Sequence, residues 1–594
     1  MNLLSTKTVH LLLFILSVLL YINTLNHGYV LDDYTVITEN FVTQKGIAGI
    51  PEIVSHFYRY GHAAMGDGLY RPLSVILFAI EWQISPNNPA IHHFVNILFY
   101  VLTIQVVFIF LRTILPKYSL ILPLSIALLF ATHPTHTEVV ANIKSRDELL
   151  AFFFSILTLL YGIQFVKSKS NKKLWMCCLF YLLALLSKET AILIVLILPI
   201  TLYFFTENSW KTYSKPVVYL SSISFLFLLL RHVVLANHGT SYAIAQLENP
   251  LIDLSLVERL PTAISLVGHY VFLVFVPYKL LYDYSFNQIP IIDYTHLYFW
   301  LSFTMIVLLF TYTIYRFQKK DVIIYGILFF GITISLFSNL PLKIGSIFSI
   351  RFLYFPSFGF CFVLPFLFDR IFGARKMLYV ILTICCFFSI KTISRNSDWK
   401  ENYSLFLSDS KELKNNVKAH LFLGIEYLKK GQTITTDNKI KTDVIKKGIH
   451  ELTWSYRMYP NSIENLENLG NAYQMLHQND SAIYYFNKVQ KLDSTSCNGT
   501  LGDIYFDIKD FKSAIQFYKK EINVHPKAVR GYHNLGMTLA SIGAYHRAIM
   551  YLNKGILVAP KNIEIKLLLA QVYKAMGDEV NFIKYYSLAN NIQQ

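Results

Sequence analysis

Cysteine is scarce in this chain and charge is thin. Of six cysteines in 594 residues, five (Cys177, Cys178, Cys361, Cys385 and Cys386) lie inside apolar runs and only Cys497 falls in a polar stretch. That distribution excludes a disulfide framework, and no CxxC pair offers a metal clip. Charged residues make up only 15% of the sequence, and up to residue 394 they sit mostly between long apolar runs. No A-x-A-like cleavage site follows the apolar segment LLLFILSVLLYINTL after Lys7, so this segment reads as a retained first membrane helix rather than a removed signal. The formal charge of +16 would suggest nucleic acid in a soluble protein. Here it gathers in short loops, the pattern of membrane topology, and nucleic acid is not an expected partner.

What is present is apolar length, with 54% hydrophobic residues. Runs near the roughly 20 residues needed to cross a bilayer fall at 9–25, 91–112, 119–133, 148–166, 173–187, 190–206, 216–236, 261–281, 296–316, 322–339, 351–368 and 376–393. Basic clusters mark the cytoplasmic side: Arg112 with Lys117; Lys167, Lys169, Lys172 and Lys173; Lys211 with Lys215; Arg316, Lys319 and Lys320; Arg370, Arg375 and Lys376. Placing all five inside makes 261–281 a re-entrant or interfacial helix and leaves about 11 full spans. The N-terminus is then inside and the C-terminal region outside, in a bacterial periplasm or the endoplasmic-reticulum lumen.

From Asn461 onward the sequence repeats with a period near 34. Gly470, Gly502, Gly536 and Ala570 recur in step with Tyr473, Tyr505, Leu539 and Tyr573. Ala482, Ala514 and Ala548 mark a second helix, and Pro526 and Pro560 close two units. Small residues let paired helices approach, aromatics fill the layer between them, and proline ends the second helix. The pattern resembles tetratricopeptide repeats, with an earlier degenerate unit from His420 to Pro460 that carries Gly424 and Tyr427. The expected fold class is all-α: a membrane domain over 1–394, a connector over 395–417, and a C-terminal α-solenoid of about five repeats over 418–594. Such solenoids bind proteins or extended peptides without chemistry of their own.

Chemistry must therefore come from the membrane region. Asp32 and Asp33 directly follow the first span, and a carboxylate there suits a general base for a hydroxyl; a solvated turn is the plainer alternative. Arg71, in Tyr70-Arg71-Pro72-Leu73, has the planar fork that suits phosphate, or it anchors at the interface. His133, His136 and Glu138 carry donor atoms, but Pro134 interrupts the turn and HxxHxE is not an established zinc spacing. A polar pocket for sugar or phosphate is therefore preferred there to a divalent metal. Ser145-Arg146-Asp147-Glu148 follows, with a helix cap at Asp147 as the bland reading. Lys188 and Glu189 either pair across a tight turn or offer a cation to a lipid phosphate. Arg351, three residues before Tyr354, is suited to a phosphate leaving group or to interfacial anchoring.

In their order, Leu31-Asp32-Asp33, Tyr70-Arg71-Pro72-Leu73, His92-His93-Phe94-Val95-Asn96, His133 to Glu138, Ser187-Lys188-Glu189-Thr190 and Arg351 to Ser357 resemble the transmembrane and tetratricopeptide-repeat-containing O-mannosyltransferases. Arg395-Asn396 with Asp398-Trp399 resembles that family's passage into its repeats. The resemblance implies a GT-C glycosyltransferase fold and a polyprenyl-phosphate sugar as lipid-linked co-substrate. It also implies an external active site in which Asp32 or Asp33 is the base, and Arg71, Lys188 and Arg351 meet the donor phosphate. His133, His136, Glu138, Arg146, Glu189 and Tyr354 complete the candidate donor or substrate site. Mannose comes from the resemblance alone, and Ile350 stands where the family often has an acidic residue.

The expected function is transfer of a sugar to Ser/Thr hydroxyls of a protein acceptor presented by the repeats, in a membrane-lipid setting. The alternatives are a transferase acting on a lipid or glycan, and a non-enzymatic scaffold whose repeats bind partners.

Overall fold

A computed structural model describes residues 5–62, 68–207, 210–237, 246–435 and 437–590. Every regular element among them is helical. The chain divides into two compact units, Met1–Lys418 and Ala419–Gln594.

In the first unit, α1 (Thr6–Tyr21) leads into a folded segment carrying α2 (Ile50–Ser55) and α3 (Pro72–Ile84). Next come α4 (Pro89–Ile114), α5 (Ile121–Thr132), α6 (Thr137–Ala141), α7 (Arg146–Ser168) and α8 (Asn171–Ser187). They are followed by α9 (Ile194–Phe205), α10 (Trp210–Asn237), α11 (Leu256–Phe275) and α12 (Leu297–Phe317). The unit closes with α13 (Val322–Ser335), α14 (Tyr354–Phe372), α15 (Ala374–Asp398) and α16 (Asn402–Ser410).

Seven helical stretches among the described residues are long and apolar enough to cross a membrane: Thr6–Asn26, Pro89–Ile114, Ile143–Ser168, Lys211–Asn237, Leu297–Phe317, Ile350–Phe372 and Ala374–Asp398. The chain is thus a multi-pass membrane protein, but the expected eleven full spans are not all of crossing length. Helices α5, α9 and α13 have 12, 12 and 14 residues and rise only about 18–21 Å at 1.5 Å per residue. The hydrocarbon core is about 30 Å thick. The apolar runs are cut short because polar turns intrude: α5 stops at the His133–Pro134 turn, and α9 follows a 3-10 turn at Glu189–Leu193. The run at 261–281, expected to be a re-entrant or interfacial helix, is helical only to Phe275, within the 20-residue helix α11. A capping box between Ser255 and Glu258 starts it, and it is not among the seven.

The unit is built on aromatic packing and small-residue contacts. Phe152 and Phe130 stack at 5.1 Å, with Tyr354 and Phe358 edge-on to Phe152 or Phe130. Helices α13 and α14 cross where two glycines meet. A β-carbon on Gly359 would stand 2.5 Å from the Gly326 carbonyl oxygen, and one on Gly326 would stand 2.7 Å from that of Gly359. Close backbone approach of this kind holds helices together where lipid offers no hydrophobic drive. Helix α12 turns Leu308, Phe310, Ile314 and Tyr315 outward, as a lipid-facing helix does.

Residues 395–417 belong to this unit. Arg395 donates to both oxygens of Asp409, at 2.6 and 2.8 Å, and to Asp398 at 2.9 Å. Asn396 donates to the Leu20 carbonyl at 2.7 Å, and Trp399 is buried. The Arg395-Asn396 and Asp398-Trp399 motif therefore ties the end of α15 to α1 and α16.

Among the described residues the second unit is five helix pairs. They are α17 (Val417–Thr433) with α18 (Asn438–Met458), α19 (Ile463–Met475) with α20 (Asn479–Leu492), and α21 (Asn498–Asp507) with α22 (Phe511–Val524). The last two are α23 (Val529–Ser541) with α24 (Tyr545–Val558), and α25 (Ile563–Ala575) with α26 (Glu579–Asn590). The sequence period has a direct cause. A β-carbon on Gly470 would stand 2.6 Å from the Phe486 ring, and one on Gly502 would stand 2.5 Å from the Tyr518 ring. Next to these contacts the pairs Tyr473–Tyr485, Tyr505–Phe517 and Tyr573–Tyr585 stack nearly parallel at 5.5, 5.4 and 5.6 Å. The fourth pair has Leu539 at the aromatic position.

The glycine crossing predicts a contrast within the α13–α14 pair. Gly359→Ala puts its methyl against backbone that cannot swing aside, and should destabilise the protein by about 1–3 kcal/mol. Gly331→Ala, in α13 with nothing within 4 Å, should leave the thermal unfolding of the detergent-solubilised protein unchanged or slightly raised. Equal melting curves for the two variants would contradict the crossing.

Candidate active site

The first candidate residues sit in a strained turn. Past α1 the backbone is pinned to the start of α16 and the residues just before it: Gly28 donates to the Lys400 carbonyl at 2.9 Å and Leu31 to the Asn402 side chain at 2.8 Å. Leu31 takes φ +50, a left-handed conformation that a branched residue adopts only when its surroundings impose it. One residue later the chain reaches Asp32 and Asp33, and the two carboxylates go opposite ways.

Asp33 is fully buried, and both of its oxygens accept backbone N–H groups, from Val30 at 2.9 Å and Lys144 at 2.7 Å. Burial pushes its carboxyl up to about 7, against the pull of those two N–H donors. Asp32 points outward, with 39% of its side chain exposed, 3.1 Å from Arg59 and 3.8 Å from the Lys144 ammonium. Partial burial pushes this carboxyl up, but Arg59, Lys144, Arg351 and Lys418 outweigh it and hold Asp32 down to about 2. Asp32 is therefore an open, ionised acceptor. Asp33 is an internal brace.

A chain of ion pairs extends from Asp32 into the protein. Lys144, itself buried, lies 3.8 Å from Asp32 and 3.8 Å from Asp147, with the Tyr58 ring 5.9 Å away. Asp147 accepts from Arg71 at 2.6 Å, and Arg71 also donates to Glu189 at 2.9 Å beneath the same tyrosine. Glu189 and Asp147 both favour the charged guanidinium, against the desolvation of burial, and raise the Arg71 pKa. Lys188 pairs with Glu148. Arg351, 26% exposed, donates from its side chain to Glu138 at 2.8 Å, while its backbone N–H reaches the other oxygen at 3.2 Å. Charges this deep in a membrane protein are costly unless paired, and they mark functional sites. The cations nearest Asp32 thus offer positive charge beside an exposed carboxylate.

The remaining candidates lie elsewhere. Arg146 is wholly buried over the Phe78 ring, and all three of its guanidinium nitrogens are engaged: by Asn96 at 2.6 Å, by Glu81, and by the His92 carbonyl at 2.8 Å. Glu81 in turn meets His92. Arg146 therefore braces the head of α7 against α3 and α4, with no nitrogen left for substrate. His133 meets the Val274 carbonyl at 3.0 Å and Thr135 at 2.7 Å, and His136 meets Ser357 at 2.8 Å and lies edge-on to Tyr354. Both histidines and Tyr354 are buried in the helical bundle. Among the described residues no three His, Cys, Asp or Glu side chains are disposed to hold a metal ion.

Arg59 and Lys144 are central to the geometry but stand outside the sequence candidates, and Asp147, read there only within Ser145-Arg146-Asp147-Glu148 with a helix cap as the plain alternative, holds Arg71. For two of them a signal existed. Lys144-Ser145-Arg146-Asp147-Glu148 sets four charges at the head of an apolar helix, where only a polar site repays their burial. Arg59 and Asn402 carry no such mark, because their roles follow from how distant segments fold together.

The tetratricopeptide repeat family model matches residues 496–524 and 529–562. Protein O-mannosyl-transferase F38B6.6 of Caenorhabditis elegans is 27% identical over 427 residues, which cover 70% of this chain and 59% of that protein. Protein O-mannosyl-transferase TMTC3 of Mus musculus is 26% identical over 447 residues, covering 67% of this chain and 46% of that protein. The crystal structure of MamA aligns at 25% identity with a TM-score of 0.25, covering 27% of this chain and 96% of that one. The chain spans about half the length of the curated relatives it matches. By alignment over about two thirds of its length, with two repeats matched by a separate family model, the chain is a homologue of proteins named protein O-mannosyl-transferases.

Proposed function

We propose that the membrane unit transfers a mannosyl group from a polyprenyl phosphate to a Ser or Thr hydroxyl of a polypeptide. On this reading the reaction takes place on the external face, and the repeats lie on that side. The observation that carries the reading is Asp32: an exposed carboxylate, ionised at every physiological pH, set in a strained turn beside Arg59 and Lys144 and in the field of Arg351. The names of the relatives supply the sugar and the protein acceptor, and the basic loops support the side.

The acceptor hydroxyl hydrogen-bonds to Asp32 and attacks the anomeric carbon. As the new C–O bond forms, the bond to the phosphate oxygen breaks and its electron pair leaves with the phosphate. The hydroxyl proton passes to Asp32, and the single displacement inverts the anomeric centre. Asp32 is a weak base, but the hydroxyl becomes strongly acidic once its oxygen bonds to carbon, so a late proton transfer needs little basicity. Arg351 and Lys144 stabilise the charge that develops on the departing phosphate. Arg71 and Lys188, held by Asp147, Glu189 and Glu148, keep that charge balanced from below.

Two experiments test this. Asp32→Asn should lower transfer from polyprenyl-phosphate mannose to peptide by about 10²–10⁴-fold, while the loss of its part-exposed pairing with Arg59 and Lys144 should cost no more than about 1 kcal/mol of thermal stability. Asp33→Asn should lower stability as well, because it turns an amide N–H₂ toward a backbone donor. Full transfer by Asp32→Asn would remove the proposed base. The second experiment is a pH–rate profile. With Asp32 near 2, the wild-type rate should not fall between pH 8 and 5 through protonation of the base. Arg59→Met removes the foremost of the cations holding that carboxyl down, so its pKa rises, and the acid limb of the variant's profile should lie at higher pH than that of wild type. A variant profile parallel to wild type would show that Asp32 is not the titrating group.

A further inference from the structure

The second unit holds a polar cavity that the membrane chemistry does not use. It measures about 390 Å³, within the roughly 300–1,000 Å³ of pockets that hold ligands. Its walls come from three successive helix pairs: Glu467 from α19, Gly499 and Thr500 from α21, Glu521 from α22, and Arg530 and Asn534 from α23. Thr495, Ser496, Tyr518 and His525 also line it.

Its charges do not cancel. Asp503 accepts from the Tyr518 hydroxyl at 2.7 Å and the Asn534 amide at 2.8 Å and pairs with Arg530, so the guanidinium at the rim is already neutralised. Glu467 and Glu521 have no such partner. Glu467 accepts only the Cys497 thiol, at 3.2 Å. Glu521 accepts only the Gly499 backbone N–H, at 3.2 Å, where it caps the start of α21. Each carboxylate keeps an oxygen without a hydrogen-bond partner among the described residues, and neither forms an ion pair there. The unit around them is net basic by sequence, so this pair of acids runs against the local charge. An ammonium or guanidinium entering the cavity meets two carboxylates and a rim of hydroxyl and amide acceptors, which suits its several donors. A carboxylate or phosphate entering meets repulsion.

We infer that this cavity takes a lysine or arginine side chain of an extended polypeptide, and so gives the repeats a preference for basic residues in what they bind. The occupant is a polypeptide side chain rather than a free cation because the walls come from three consecutive pairs, so a segment lying along the array touches each in turn. The inference rests on the mannosyl-transfer reading only in taking that polypeptide for an acceptor.

Binding tests it without any transfer step. Short fluorescein-labelled Ser/Thr-rich peptides with a central lysine, arginine or norleucine are titrated into the full-length protein in nanodiscs and followed by anisotropy. Lysine and arginine peptides should bind about ten-fold more tightly than the norleucine peptide, as expected for a charge-assisted hydrogen bond. The difference should shrink at high salt. The double variant Glu467→Gln with Glu521→Gln keeps the oxygens that accept from Cys497 and Gly499, and should bind all three peptides like the norleucine one. Asp32→Asn should keep the wild-type preference, so failure of the transfer reading is seen separately from failure of this one. Equal binding of lysine and norleucine peptides by wild type overturns the inference. So does a preference that survives the double variant, or free lysinamide competing as well as the lysine peptide. An unchanged melting temperature of the double variant confirms that it is folded.

Discussion

The geometry at the head of the membrane unit depends on Lys144, which holds both aspartates through different atoms. Its backbone N–H bonds to Asp33 at 2.7 Å, and its ammonium lies 3.8 Å from Asp32. One residue from the segment ahead of α7 therefore fixes the turn after α1 and sets the field at its exposed carboxylate. The ammonium also lies 3.8 Å from Asp147, which carries the connection on to Arg71 and Glu189. Without that cation, Asp32 and Asp147 would be left as like charges in a weakly screened space, where repulsion is far stronger than in water.

A lysine so placed needs a rigid support, and the second buried network supplies it. Arg146, two residues on, is locked by Asn96, Glu81 and the His92 carbonyl. Asn96 also donates to the carbonyls of Val140 and Asn142, at 3.1 and 3.3 Å. The polar turn between α6 and α7 thus has its backbone groups satisfied inside a membrane protein, where irregular chain survives only when buried in protein or lining a cavity. His133 does the same for the turn after α5, accepting the Thr135 N–H at 3.4 Å, and His136 ties that turn to Ser357 at 2.8 Å. These residue types suggest chemistry in the sequence because buried polar groups used for bracing and for catalysis look alike until their partners are known.

How much was legible follows from whether a signal is local or long-range. The repeats were plain in the sequence because Gly470 and Gly502 must face Phe486 and Tyr518, a constraint renewed every 32 to 34 residues. Each of the twelve apolar runs contains a helix, since apolar length is a local property, but their lengths were overstated where irregular chain ends the helix, as after Phe275 and Ser335. Asp32, Arg71, Lys188 and Arg351 stood out as charges beside apolar segments. Their division of labour did not, because the inward turn of Asp33 depends on Lys144, 111 positions away. Arg59 became visible only once the first loop was seen to fold over the turn.

The cations around Asp32 set two demands against each other. Arg59, Lys144 and Arg351 hold its carboxyl near 2, which keeps it ionised but makes it a poor base. The same positive field is what a phosphate leaving group requires. On the proposed reading, the substrate reconciles them. A sugar phosphodiester brings one negative charge into the cluster and takes up part of the field that otherwise acts on Asp32. Its carboxyl pKa then rises in the donor-bound state by the linkage that ties every charge in a cluster to every other. Basicity would therefore increase only when the donor is in place. On that reading Asp32 is held by Arg59 before the donor arrives and becomes a better proton acceptor as the phosphate enters, which would couple donor binding to activation of the hydroxyl without any movement of the backbone.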